Sequence, residues 1–142
     1  MASDTQPQQL ATGLLRSYAA GGRVVIYTLS SLSNDTVDVW VASCLAEMET
    51  CIAEDRPLLV LQDLARPTVV QTPYSREQGN TVTHSYPELG GRIAFMLQHN
   101  TASQRVGRYV KGQNHEYRER QIFTSREDAL AWLMELVPSD AE

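Results

Sequence analysis

The feature that most constrains this chain is the alternation of short, unbroken apolar runs with one long amphipathic stretch. The runs are Val24-Val25-Ile26-Tyr27-Thr28-Leu29, Leu58-Leu59-Val60-Leu61 and Arg92-Ile93-Ala94-Phe95-Met96-Leu97. They lack the apolar/polar alternation of a strand with one wet face, so they predict strands covered on both sides, as in parallel sheets. Between the first two, Val37, Trp40, Val41, Cys44, Met48, Cys51 and Ile52 recur at three- and four-residue steps, which is a helical period. A strand, a crossover helix and a second strand are therefore expected, with the crossover right-handed.

Local signals fill in the remainder. Leu14, Leu15 and Tyr18 lead into Gly21-Gly22 and then the first apolar run, which predicts an antiparallel pair at about 12–18 and 23–29, since paired glycines supply the positive φ of a tight turn. Ser30 to Asp35 offers several N-caps, with Asp35 and Asp38 placed well against the helix dipole. Arg56-Pro57 ends that helix, because proline disfavours a helical residue before it. From about Thr72 a second helix is expected, with Pro73 at its first position and Tyr74, Gln78, Val82 and Tyr86 at four-residue spacing, ending before Pro87. A short helix is read over 102–111, with Val106, Tyr109 and Val110 inward. An alternating edge strand follows at 118–123, with Arg118, Arg120 and Ile122 on one side. Thr124-Ser125-Arg126-Glu127-Asp128 carries overlapping capping boxes, and the final helix buries Ala129, Leu130, Leu133, Leu136 and Val137 until Pro138 stops it.

At 142 residues the chain has the length of one domain. It is read as a lead-in over 1–10, expected to be disordered, one domain over 11–138, and a tail over 139–142. Polar residues 1–9 lack the basic and apolar regions of a signal peptide, and no apolar run approaches the ~20 residues of a membrane helix. Cys44 and Cys51 lie seven residues apart on one helix face, about 10 Å between Cα atoms, which is beyond disulfide reach. They are read as small buried hydrophobes in a protein of the reducing cytoplasm. Net charge is −5, which argues against general nucleic-acid binding. The segment 92–126 nevertheless concentrates seven bases against two acids.

The order hairpin, helix, strand, helix, strand, short helix, strand, helix resembles the SpoIIAA-like fold of STAS domains and their CRAL-TRIO-like relatives. The stretch Arg120-Gln121-Ile122-Phe123-Thr124-Ser125-Arg126-Glu127-Asp128-Ala129-Leu130-Ala131-Trp132-Leu133 is similar to the last strand and helix of SpoIIAA-like bacterial proteins. The fold class expected is α/β: a mostly parallel sheet of four to five strands, an N-terminal antiparallel hairpin strand, and helices packed against it. The resemblance implies a non-enzymatic regulatory or protein-interaction domain, with a homodimer as the expected assembly. The alternative is a protein that binds a small molecule, lipid-like or anionic, in an apolar pocket among the helices; a hydrolase ranks third. The family's phosphorylated serine follows an aspartate at the start of a helix. Here Asp63 is followed by Leu64-Ala65-Arg66-Pro67-Thr68, and none of Thr68, Thr72 or Ser75 matches the motif, so no phosphoacceptor is carried over.

In open parallel sheets ligands bind beyond the carboxyl ends of the strands. Those ends carry Ser30, Ser31, Asp63, Arg66, His99 and Asn100, which form the candidate rim for a ligand or partner. Arg105, Arg108 and Lys111 repeat every three residues and are candidates for contacting an anion. Serine, Asp63 and His99 do not make a credible triad, since the Gly-x-Ser-x-Gly turn that exposes a hydrolase nucleophile is missing. His84, His99 and His115 lack metal-ligand spacing, and no glycine pattern marks a phosphate or dinucleotide loop. No catalytic residue, metal or cofactor is therefore assigned.

Overall fold

In a computed structural model of the chain, which describes residues 6–66, 71–97 and 118–138, the fold is α/β with a six-stranded mixed sheet. The strands are β1 (Gln8–Ala11), β2 (Leu14–Ala19), β3 (Val24–Leu29), β4 (Leu58–Asp63), β5 (Gly91–Met96) and β6 (Glu119–Phe123). They lie side by side in sequence order; β1–β2 and β2–β3 pair antiparallel, and the remaining three pairs are parallel. The helices are α1 (Asn34–Ala53), α2 (Pro73–His84) and α3 (Arg126–Met134). The short helix expected over 102–111 lies outside the described residues.

The expected antiparallel pair is present, and its turn works as the glycine pair requires: Ala20, Gly21 and Gly22 all take positive φ, at 53°, 66° and 89°. The sheet has one strand more than expected, because Gln8–Ala11 of the proposed lead-in pairs with β2. Its sequence is two glutamines, a leucine and an alanine, with the glutamines exposed. An edge strand of this kind is held by backbone hydrogen bonds and leaves no apolar pattern to read.

The capping residues act as read. Ser33 accepts the Thr36 amide and starts α1. Thr72 and Ser75 close a capping box at α2, with Pro73 at its first position, and Ser125 accepts the Asp128 amide at α3. Helix α1 stops three residues earlier than the Arg56-Pro57 signal. Asp55 takes a left-handed φ of 54°, and the amides of Asp55 and Arg56 donate to the carbonyls of Ile52 and Cys51 at 3.2 and 3.0 Å, a Schellman ending.

Alternation along the strands gives the sheet two covered faces. Val25, Tyr27, Leu58, Val60 and Ile93 join Cys44, Met48 and Cys51 of α1 in one core. Ile26, Leu59, Leu61 and Ala94 join Ala129 and Leu133 of α3 in the other. Arg92 fastens α3 to the sheet edge. Its guanidinium donates to Glu119, Glu135 and the Trp132 carbonyl at 2.8–2.9 Å and lies 4.8 Å from the Trp132 ring centroid.

Helix α2 is different. It leans on α1 and has little direct packing on the sheet, and Thr83 is its only buried residue. Its ties are polar: the Tyr74 hydroxyl donates to Asp38 of α1, and just past the helix the Tyr86 hydroxyl donates to Glu49 at 2.6 Å. A helix propped in this way leaves space beneath it.

Candidate functional site

That space is a cavity of about 100 Å³ between α1, α2 and the sheet. The strands supply Tyr27 and Leu29 from β3, Leu58, Val60 and Gln62 from β4, and Ile93 and Phe95 from β5. Trp40, Cys44 and Met48 line it from α1, while Ser75, Gly79 and Val82 line it from α2. Gly79 sits mid-helix, where glycine costs helix stability; on the cavity wall, its missing side chain leaves room below.

A few polar groups punctuate this apolar lining. The Trp40 indole N–H donates to Gln62 Oε1 at 3.1 Å. The hydroxyls of Tyr27 and Ser43 are 2.7 Å apart, and Arg16 donates to Ser43 at 3.5 Å. Glu47 accepts the Tyr18 hydroxyl and lies 4.0 Å from Arg16, so the acid on the cavity wall has its own cation. Burial, reinforced by the bond to Glu47, pushes the Tyr18 hydroxyl up to about 12. Desolvation also raises Tyr27 well above its ordinary value. Burial pushes the Cys44 thiol up to about 12, against hydrogen bonds from Tyr27 and Gln62 that favour the thiolate. At neutral pH Cys44 is therefore a protonated, inert thiol.

Two arginines of the β6 segment complete the wall. Arg118 is buried, and its two terminal nitrogens donate to the carbonyls of Val82, Thr83, Ser85, Tyr86 and Leu89 at 2.8–3.4 Å. The last carbonyls of a helix lack intrahelical partners. In α2 this deficit is deepened because Pro87, four residues after Thr83, has no N–H to give. Arg118 supplies the missing donors. Arg120 is half-buried, and donates to Thr83 Oγ1 at 3.0 Å and to the Arg118 carbonyl at 3.4 Å.

Of the rim read from the sequence, Ser30, Ser31, Asp63 and Arg66 fall within the described residues. Ser30 and Ser31 do lie at the carboxyl end of β3, and Asp63 ends β4 beside it, with Thr28 opposite Asp63 in the register. Asp63 is buried, accepts the Ala65 amide at 3.1 Å and lies 3.9 Å from the guanidinium of Arg66. The Ser30 amide donates to the Gly13 carbonyl at 2.9 Å, and Ser31 Oγ accepts the Ser33 amide at 3.2 Å, so both serines take part in the turn ahead of α1. Strand alternation turns Asp63 to the α3 side, away from the cavity that Gln62 faces. His99, Asn100, Arg105, Arg108 and Lys111 lie outside the described residues. Among the described residues no group of His, Cys, Asp and Glu could hold a metal ion, and no helix is long and apolar enough to cross a membrane.

The cavity residues were visible in the sequence as core or charge and not as a site. Trp40 and Cys44 read as the apolar face of α1, Gln62 as the end of a strand, and Arg118 and Arg120 as part of a basic stretch. The one signal that could have separated them is Gly79 inside a helix whose neighbours already disfavour helix. No protein-family model matches the chain, and no curated protein or solved structure is significantly similar to it.

Proposed function

We propose that this domain binds a small, predominantly apolar molecule in the cavity between α1, α2 and the sheet. The observation that carries the proposal is that α2 is held over the sheet by polar ties at both ends, leaving an apolar space that its own side chains do not fill. Close packing is the rule in protein interiors. A space of this kind is also the usual form of a ligand site, apolar with a few placed polar groups. A dry apolar cavity of about 150 Å³ accommodates benzene, so about 100 Å³ suits a slim ligand or the apolar part of a larger one. Kinship to the SpoIIAA-like proteins, with their lipid-carrying relatives, is part of the proposal. It is supported by an N-terminal antiparallel pair leading into parallel strands with a C-terminal helix on the opposite face.

The two tryptophans provide a built-in test. Trp40 lines the cavity, whereas Trp132 packs on the other face against Phe123. Titration of ¹⁵N-labelled protein with 1-octanol should shift the Trp40 indole resonance and leave that of Trp132 in place. Equal shifts at both, or none at either, would refute cavity binding.

A second reading, a regulatory domain that binds a protein partner or a second copy of itself, is favoured by the sheet's borders. Among the described residues β1 and β6 each pair on one side only, and an open strand edge can accept another strand. Light scattering after size exclusion tests the self-association arm: a dimer supports it, and a monomer at all concentrations opposes it.

A further inference from the structure

We infer that the ligand of this cavity is an amphiphile with an uncharged head that both donates and accepts a hydrogen bond, as an alcohol does, set against the side-chain amide of Gln71; this rests on the cavity-binding reading above. The burial of the wall gives the first half. The Tyr74 hydroxyl ties the first turn of α2 to Asp38, in the first turns of α1. Gln71, immediately before the Thr72 cap, therefore stands at the carboxyl end of the sheet. Around that end the cavity wall is half-buried, at Trp40, Leu64, Gln71 and Ser75. At the other end Met48, Leu58 and Thr83 are buried. The cavity opens beside Gln71 and closes away from it, so an amphiphile seats its tail inside and leaves its head at Gln71.

Hydrogen bonding gives the second half. The other polar side chains of the wall are already engaged. Gln62 accepts the Trp40 indole N–H, Glu47 accepts the Tyr18 hydroxyl, and Ser75 and Thr72 bond each other's backbone. Arg118 and Arg120 donate to the carbonyl and the hydroxyl of Thr83, at the closed end. Gln71 lines the cavity, and among the described residues its amide makes no hydrogen bond. A carboxamide carries a donor and an acceptor and no charge. A hydroxyl head matches both halves, whereas an ether matches only the donor. A carboxylate also uses only the donor, and it would leave water for a neutral partner, which is costly.

Calorimetry at pH 7.4 with 1-octanol, its isomer 1-methoxyheptane and octanoate, each below its solubility or micelle limit, tests this directly. Octanol should bind about fivefold more tightly than the ether, the worth of one net hydrogen bond of ordinary strength, and octanoate should bind more weakly than octanol. Gln71→Leu should bind octanol and the ether alike, and continued binding of the ether shows that the cavity has survived the substitution. Octanol and the ether binding equally to the unaltered protein, or a preference that persists in Gln71→Leu, overturns the head at Gln71 and leaves the apolar site standing. Octanoate binding most tightly would seat the head on a cation instead, and also overturns it. Failure of all three to bind overturns both readings.

Discussion

Replacing Arg118 by methionine keeps an unbranched side chain of similar reach and removes every donor that α2 and its exit receive from the guanidinium. The carbonyls of Val82 and Tyr86 keep the amides of Ser85 and Leu89 as donors. Those of Thr83, Ser85 and Leu89, at 3.1, 3.0 and 2.8 Å from the guanidinium, lose the bonds that it made. An acceptor left without its donor in the interior costs about 1–3 kcal/mol, so three give about 3–9 kcal/mol. Relief from burying a cation, itself worth several kcal/mol, offsets part of this. The expected net loss is about 3 kcal/mol, a large share of the ~5–15 kcal/mol of a typical domain, and a fall in Tm of about 10 °C. Urea unfolding followed by far-UV circular dichroism reads the loss, and Trp40 fluorescence reports whether the α2 side opens first. Arg118→Lys, with one ammonium in place of a planar fork, should recover less than half. A loss below about 1 kcal/mol for Arg118→Met would show that water or rearranged backbone serves these carbonyls equally well, and the account of how α2 is held would fail.

Alkaline pH should weaken the fold. Burial raises the Cys44 thiol from 9.0 to about 12, and the Tyr18 hydroxyl goes from 10.0 to about 12; Cys51 and Tyr27 move the same way. The folded state then holds protons that the unfolded chain has lost, so stability is complete below pH 9 and declines towards pH 12. Urea midpoints from pH 7 to 11 under reductant should be level and then fall, less steeply in Cys44→Ala; a flat profile to pH 11 contradicts this. Arg92→Ala should cost about 1–2 kcal/mol, because the carboxylates of Glu119 and Glu135 are more than half exposed and such pairs are individually weak, while the stacking on Trp132 adds about 0.5–1 kcal/mol. Thermal melts at low and high salt should show the gap narrowing as salt rises. At Gly91, a Cβ would stand 1.9 Å from the Leu58 carbonyl oxygen, so Gly91→Ala should force β5 from β4 and lower the yield of folded protein; a soluble variant with an unchanged Tm would mean the strands separate at little cost.

Much of the fold was legible because hydrophobic period and capping chemistry are local. Val37 to Ile52 could only be a helix buried on one side, and the apolar runs of β3, β4 and β5 could only be covered strands. Thr72-Pro73 and Ser125 mark helix starts by hydrogen bonds that reach three residues along the chain. What escaped was decided at long range. The strand Gln8–Ala11 exists because β2 offers a paired edge. The function of Arg118 depends on a helix end more than thirty residues earlier in the chain. The cavity is a matter of volume between α2 and the sheet, which no residue pattern encodes, although Gly79 marks the place. Of the expected rim, topology brings Ser30, Ser31 and Asp63 to one end of the sheet, while strand alternation and the turn before α1 decide where those side chains point.

The central claim is that the space under α2 is a binding site and not a packing defect. A crystal structure of the protein soaked with 1-octanol measures this most directly. The account predicts a single extended chain of density between Trp40 and Met48 of α1 and Val60 of β4. Well-ordered crystals showing side chains collapsed into an empty slit, with no ligand density at saturating 1-octanol, would contradict it.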